Sequence, residues 1–174
     1  VVQINDTVLE LAHARKSSDR FYFEKSDVHI DEVFSEMSAS LFLTGHSHKP
    51  YIQIKDNKTI INPGAVGLPQ GNSGLAQYAL LDIAQGTINC VLRDVAYDYE
   101  KLIHQQFSSG MVAYAKYWAI SDLYNAITGK EYTKWLLNRV YADAKSNPDL
   151  MEDESAWLQY TKELGMFLTE PEIV

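Results

Sequence analysis

Hydrophobic and polar residues alternate over short segments of the first hundred residues, which is the pattern of half-buried β-strands. The segments "VVQI" and "TVLELAHA" surround the turn dipeptide "ND" and predict a β-hairpin. Two further hairpins are predicted, one from "PYIQI" and "TIINP" and one from "AQYALLDI" and "TINCVLRDV". The segment "ASLFLTG" is short and almost continuously apolar, which predicts a buried strand between the first hairpin and the second.

Helical spacing of apolar residues occurs once among these strands and then dominates the end of the chain. The segment "SDVHIDEVFSEMS" predicts an amphipathic helix with Ser26 or Asp27 as its N-cap. The segment "DYEKLIHQQF" begins another helix, and beyond Ser108 aromatic residues at helical spacings predict three more. We therefore predict an α/β unit over residues 1–107, followed over 108–174 by a helical appendage that caps a site or mediates dimerisation.

Composition and charge narrow the classes of function. Of the 174 residues, 46% are hydrophobic and 22% are charged, as in a globular protein, and no segment approaches the ~20 apolar residues of a membrane span. The net charge of −8 argues against non-specific binding of nucleic acid, which requires clustered Lys and Arg. Cys90 is the single cysteine, so no internal disulfide forms, which is consistent with a reducing cytoplasm.

Two histidines follow the predicted buried strand in "LFLTGHSHKP". His46 and His48 lie where α/β sheets place their ligands, just beyond the carboxyl end of a strand. In extended backbone, residues i and i+2 point the same way about 6.5 Å apart. That spacing would let one imidazole reach each of two cations about 3.5–4 Å apart. A solvated turn is the alternative interpretation, because a short His-x-His pattern alone is a weak signal.

A glycine-rich loop follows the predicted strand that ends at Asn62, in "INPGAVGLPQG". A hairpin with strands 51–54 and 59–62 would return Asn62 to the neighbourhood of His48. We therefore treat Asn62 as a candidate site residue, with an ordinary structural turn as the alternative.

These two segments together resemble a known family. "TGHSHKP" followed by "IINPGAVGLPQ" resembles the C-terminal signature of the calcineurin-like metallophosphoesterases, in particular their bacterial phosphodiesterase branch, and "QYALLDI" with the residues after it resembles that branch's closing strands. The resemblance implies the C-terminal half of an αββα sandwich that carries a dinuclear metal centre. By position, His46 resembles the ligand of the second metal and His48 that of the first. His13 in "VLELAHA" resembles a further ligand, although Ala14 stands where glycine is usual.

The resemblance also implies an activity, namely hydrolysis of a small phosphomono- or diester by a metal-dependent phosphoesterase. Two divalent cations, Mn²⁺, Fe or Zn²⁺, suit mixed nitrogen and oxygen ligation. His46 and Asn62 are the expected catalytic residues, and His29 and His104 are expected to be helix-face residues without a ligand role. The alternative is a non-catalytic scaffold of the same fold that binds partner proteins.

The chain departs from the family pattern at its beginning. It starts inside a predicted strand without an initiator Met, and the family's Asp-x-His, Gly-Asp-x-x-Asp and Gly-Asn-His motifs are absent. We therefore expect an upstream part to be missing and this chain alone to be almost inactive. We also expect the inner sheet face to be covered by that missing half, by the helical tail or by a swapped copy in a homo-oligomer.

Overall fold

Strands occupy the first half of the chain and helices the second. The structure is a computed structural model, and it describes residues 1–4, 6–14, 29–84 and 87–166. The mixed α/β class predicted from the sequence is confirmed. The chain divides into two compact units, one formed by Val1–Gln70 with Ala76–Val95 and the other by Gly71–Leu75 with Ala96–Val174. The predicted role of the helical part, as a cap or a dimer contact, stays a prediction.

The first unit contains a five-stranded mixed sheet in the order β1-β2-β3-β5-β4. Strands β2, β3 and β5 run parallel, whereas β1 and β4 pair antiparallel at the two edges. The carboxyl ends of the three parallel strands therefore meet at one edge of the sheet. The strand bounds are Val2–Ile4 for β1, Thr7–Leu11 for β2, Leu41–Leu43 for β3, Tyr51–Lys55 for β4 and Lys58–Asn62 for β5.

One face of this sheet is covered by helix α1, Ile30–Glu36. The helix turns Val33 and Phe34 inward, where they join a buried cluster with Phe42 and Ile60. The helix begins at Ile30 with His29 as its N-cap, later than the predicted start at residues 26 and 27, which lie outside the described residues. The apolar side of α1 thus packs on the short strands of the sheet and forms a buried core with them.

The other face carries a hairpin of two nine-residue strands, β6 (Ala76–Ala84) and β7 (Thr87–Val95), which form a second, antiparallel sheet. Its burial alternates along both strands, so every second side chain points inward. These inward side chains pack on the sheet around Leu9, Leu41 and Ile61; the hairpin members are Leu81, Ile83, Ile88 and Cys90. All three predicted hairpins are therefore present.

The second unit is helical. A buried cluster joins helices α4 and α5, with Leu136, Val140, Ala156 and Tyr160 among its members. Helix α3 contains a kink at Lys116, where φ is +44°. No helix in the described part of the chain is long and apolar enough to cross a membrane. The helices are α2 (Tyr99–Ser108), α3 (Met111–Thr128), α4 (Tyr132–Ala144) and α5 (Glu154–Glu163), with a 3₁₀ turn at Pro148–Met151.

The short segment Gly71–Leu75 belongs with these helices although it precedes β6 in the chain. The N–H of Gly71 donates to the carbonyl of Gly129, the residue that ends α3. The hydroxyl of Tyr99 donates to the carbonyl of Gly74 at 3.1 Å. Both contacts use backbone atoms of the segment, so its backbone lies against the helical unit.

Candidate metal centre

The edge where the parallel strands end brings His13, His46 and Asn62 together. Backbone hydrogen bonds continue beyond the strands: Ala12 donates to Leu43, and Gly45 donates to His13. These bonds fix the segment after β2 against the segment after β3. Residues just beyond the ends of β2, β3 and β5 therefore lie at one edge, where sheet geometry predicted His46 and His48 and the resemblance predicted His13.

His13 and His46 are in direct contact. Nε2 of His13 lies 2.9 Å from Nδ1 of His46, and the two rings are nearly perpendicular, with centroids 4.9 Å apart. One imidazole donates this hydrogen bond and the other accepts it. Burial lowers the pKa of the His46 imidazole below its ordinary value, and the neighbouring His13 and His48 lower it further when charged. The neutral ring is thereby favoured, which is the form that binds metal ions.

His48 has a different partner. Its Nδ1 lies 3.0 Å from the carbonyl oxygen of Leu68. A carbonyl only accepts hydrogen bonds, so Nδ1 carries the proton in this contact, and in the neutral ring this tautomer leaves the lone pair on Nε2. The ring therefore presents one lone-pair nitrogen, held in one orientation by a backbone atom, as metal-binding histidines commonly are.

The segment that carries the two histidines is a tight turn rather than extended backbone. The φ angles of His46 and His48 are +66° and +56°, in the left-handed region that residues other than glycine seldom adopt. The N–H of Ser47 donates to the carbonyl of Gly45 at 2.7 Å, which closes the turn. The expectation that His46 and His48 project in the same direction from extended backbone is therefore wrong. Such conformations concentrate at functional sites, where surrounding contacts maintain them.

Asn62 supplies those surrounding contacts. Its side chain is 0% exposed, and Nδ2 donates to the carbonyl of Gly45 at 2.8 Å and to the hydroxyl of Ser47 at 3.0 Å. Its Oδ1 accepts the N–H of Gly64 at 3.0 Å. The predicted proximity of Asn62 to the histidine segment is present, and these contacts position the turn. A direct part for Asn62 or His46 in catalysis stays a prediction.

The remaining two histidines, His29 and His104, belong to other elements of the structure. On the exposed side of α1, Nδ1 of His29 pairs with Glu32 at 3.0 Å. His104 belongs to α2 of the other unit. Ala14, at the position where the resemblance has glycine, is 1% exposed, and its carbonyl accepts the hydroxyl of Thr44 at 3.2 Å. An alanine therefore fits at this position.

An apolar groove of ≈ 550 Å³ opens beside His13 within the first unit. It lies between the carboxyl-end region of the five-stranded sheet and the β6–β7 hairpin. Cys90 faces it, and burial raises the pKa of that thiol. Its apolar lining is mainly Leu11, Leu43, Ile61, Ala79 and Leu81.

The residues present fit part of a metal centre. Two imidazole nitrogens that bind one tetrahedral Zn²⁺ at about 2.0–2.1 Å lie roughly 3.3 Å apart, so the 2.9 Å contact of His13 with His46 needs only a small opening. Within the described residues, no three His, Cys, Asp or Glu side chains converge closely enough to hold a metal ion. His13 and His46 are thus placed together at one edge as candidate nitrogen ligands, and no third His, Cys, Asp or Glu side chain of the described residues joins them.

Comparison with known proteins identifies relatives of the first unit. Residues 2–86 match the calcineurin-like phosphoesterase superfamily domain. A metallophosphoesterase from Sphaerobacter thermophilus superposes with a TM-score of 0.53 at 17% identity, over 73% of this chain and 57% of that one. A hypothetical protein from Pyrococcus horikoshii OT3 superposes with a TM-score of 0.57 at 13% identity, over 75% of this chain and 50% of that one. At these identities the likeness shows the fold alone.

This chain therefore spans between half and three fifths of the length of those two solved structures. No curated protein matches the sequence at a significant level.

Proposed function

We propose that the protein is a calcineurin-like phosphoesterase, the family whose domain residues 2–86 match, and that it hydrolyses a phosphoester at a metal centre. His13, His46 and His48 supply the nitrogen ligands. The observation that carries the proposal is the 2.9 Å contact between Nε2 of His13 and Nδ1 of His46, at the edge where three parallel strands end. Two imidazoles whose ring nitrogens meet are a donor set for a borderline cation such as Zn²⁺ or Fe²⁺.

The three histidines divide between two positions. His13 and His46 touch and would hold one cation together, whereas Nδ1 of His48 bonds the Leu68 carbonyl, so His48 would bind a cation through Nε2. This division agrees with the resemblance, which gives His46 and His48 to different metals. The lowered pKa of His46 favours its neutral ring, so a cation need not compete with a second proton on that ring.

Divalent cations, when bound, stabilise the charge on phosphoryl oxygens and make hydroxide available near neutral pH. The contribution of this chain is to hold their ligands in position. Asn62 fastens the histidine turn through Gly45 and Ser47, and the backbone bond from Gly45 to His13 joins that turn to the neighbouring segment. Ligands fixed in this way lose little conformational entropy when a cation binds.

We propose a small phosphomonoester or phosphodiester as the substrate class and Mn²⁺, Fe or Zn²⁺ as the cations. The family match supports the substrate class, and the histidine donor set supports the cations. The oxygen ligands of the centre would come from outside the described residues, from an upstream part of the protein or from a second copy. The competing hypothesis is a scaffold that binds partner proteins without catalysis, and the following experiment distinguishes the two.

The activity is tested on the complete gene product with p-nitrophenyl phosphate and bis(p-nitrophenyl) phosphate, in the presence of Mn²⁺ or Zn²⁺. Replacing His46 by alanine is expected to lower kcat/KM by at least about 100-fold, because loss of one ligand removes the stabilisation that the cation gives the transition state. The control is His104→Ala, a histidine of helix α2, which is expected to leave kcat/KM unchanged.

A complete gene product that neither binds these metals nor hydrolyses either ester would contradict the proposal and favour the scaffold. So would a His46→Ala variant that keeps the rate of the unmodified protein. The 174-residue chain assayed alone is expected to show little or no turnover, because no third His, Cys, Asp or Glu side chain joins His13 and His46 within its described residues.

A further inference from the structure

Near the start of strand β6 lies a buried glutamine, Gln77, to which the proposed function assigns no role. Gln77 is 2% exposed, although most glutamines lie at the surface. The period of two along β6 puts Gln77 on the inward side with Ala79, Leu81 and Ile83. A polar side chain in that inward row is expensive unless its amide is fully hydrogen-bonded.

The amide of Gln77 is bonded at both ends to one loop. Its Oε1 accepts the N–H of Ala65 at 3.0 Å, and its Nε2 donates to the carbonyl of Gln70 at 3.0 Å. The backbone N–H of Gln77 also donates to the carbonyl of Ala65 at 2.9 Å. A single side chain thus spans the loop of residues 65–70 from its first residue to its last.

Gly64 makes room for this arrangement. Its φ is +86°, and a Cβ built on it would lie 2.7 Å from the Cβ of Gln77. Any residue other than glycine at position 64 would therefore force the Gln77 side chain out of its place. Gly64 precedes the loop of residues 65–70 and Gln77 comes after it, and together they hold the loop closed.

The same loop contacts His48 at two points. The carbonyl of Leu68 accepts Nδ1–H of His48 at 3.0 Å, and the N–H of Gln70 donates to the His48 carbonyl at 3.2 Å. Pro69, which lies between these two residues, is fully buried. A loop fastened at residues 65 and 70 therefore keeps the Leu68 carbonyl aimed at the His48 ring.

We infer that Gln77 is a positioning residue for the metal site: it acts through the loop 65–70 to fix the His48 tautomer with Nε2 available. The inference rests on the proposed function for the role of His48 as a metal ligand. The effect of Gln77 on the His48 ring, through the loop, can be tested without metal or substrate. Orienting partners of metal ligands matter for binding, because their loss commonly weakens metal affinity about 10–100-fold.

The test replaces Gln77 by methionine, which has a similar length and shape but forms neither hydrogen bond. In the metal-free chain, two-bond ¹H–¹⁵N NMR spectra of the histidine rings identify the protonated nitrogen of each. Unmodified protein is expected to show His48 protonated at Nδ1. The Gln77→Met variant is expected to show a mixture of tautomers at His48 with an unchanged spectrum of His29.

Gln53→Met, on strand β4, is the matched control and is expected to leave the His48 tautomer unaltered. A merely structural role for Gln77 would lower the stability of the fold without changing the tautomer, so a folded Gln77→Met variant with the original His48 spectrum would overturn the inference. If that variant does not fold, the unmodified protein still decides: His48 protonated at Nε2 would also overturn it.

These outcomes are separate from those of the activity assay. An inactive, metal-free protein with His48 fixed at Nδ1–H in the presence of Gln77 would refute the phosphoesterase and leave the positioning intact. An active protein whose His48 tautomer ignores the Gln77→Met substitution would refute the positioning alone.

Discussion

Replacing Asn62 by leucine is expected to destabilise the first unit by about 3–5 kcal/mol, because it leaves several buried polar groups without partners at about 1–3 kcal/mol each. Leucine is similar in size but forms none of the three hydrogen bonds that Asn62 makes to Gly45, Ser47 and Gly64. The asparagine is 0% exposed, so water does not replace those bonds. The free energy of unfolding, measured in urea by far-UV circular dichroism, tests this expectation.

Two companion variants separate the causes. Ser47→Ala removes one of the three contacts and is expected to cost about 1 kcal/mol. Asn57→Leu makes the same substitution in the exposed turn between β4 and β5 and is expected to change stability by no more than about 0.5 kcal/mol. An Asn62→Leu protein as stable as Asn57→Leu would show that Asn62 does not hold the histidine turn.

Replacing Gly74 by alanine is expected to destabilise the helical unit by roughly 3–5 kcal/mol, from left-handed strain and overpacking together. The φ of Gly74 is +84°, and a Cβ there would lie 2.6 Å from the Ala126 carbonyl oxygen and closer still to that of Ile127. These obstacles are backbone atoms of α3, which do not move aside as a flexible side chain would. The expected effect therefore exceeds that of strain alone.

Gly71→Ala is the matched control, since Gly71 has a φ of +82° with open space around the position of a Cβ. Only the left-handed strain remains there, about 1–2 kcal/mol. Tryptophan fluorescence in urea is a suitable readout, because the three tryptophans, Trp118, Trp135 and Trp157, all belong to the helical unit. Equal midpoints for Gly74→Ala and Gly71→Ala would contradict the close packing of residues 71–75 against α3.

The sequence was sufficient to predict the three hairpins, the buried strand β3 and the proximity of Asn62 to the histidine segment. Alternation at period two marks β4 to β7, and the order of strands and loops places His13, His46 and Asn62 at strand ends. Those ends come together because β2, β3 and β5 are parallel: α1 lies in the connection from β2 to β3, and the antiparallel strand β4 lies in the connection from β3 to β5. Local pattern and general sheet geometry therefore determine which residues meet.

The conformation of the histidine turn could not be predicted in this way. The turn with positive φ angles at His46 and His48 is held by hydrogen bonds from Asn62, which lies 15 residues beyond Ser47 in the chain. Hydrophobic periodicity carries no information about such a bond. The kink at Lys116 in α3 is a comparable case, since the sequence around it contains neither proline nor a helix-breaking pair.

The role of Gln77 had a signal in the sequence. In "LAQYALLDI" the alternation that turns Leu81 and Ile83 inward also turns Gln77 inward, so a polar residue occupies an apolar row. The segment Gly71–Leu75 had no such signal, because its membership in the helical unit depends on backbone contacts with Gly129 and Tyr99. Side-chain patterns in a sequence predict which face of a strand or helix is buried. The backbone contacts of a glycine-rich loop can be identified only from the structure.

The most direct test of the metal centre is a Zn²⁺ titration of the protein followed through the ring ¹⁵N signals of its histidines. We expect His13 and His46 to shift together along a single binding curve, because Nε2 of the one and Nδ1 of the other already lie 2.9 Å apart. The signals of His29 and His104 are expected to remain in place. Zn²⁺ that leaves His13 and His46 unchanged, or that shifts one without the other, would contradict a shared cation at this edge of the sheet.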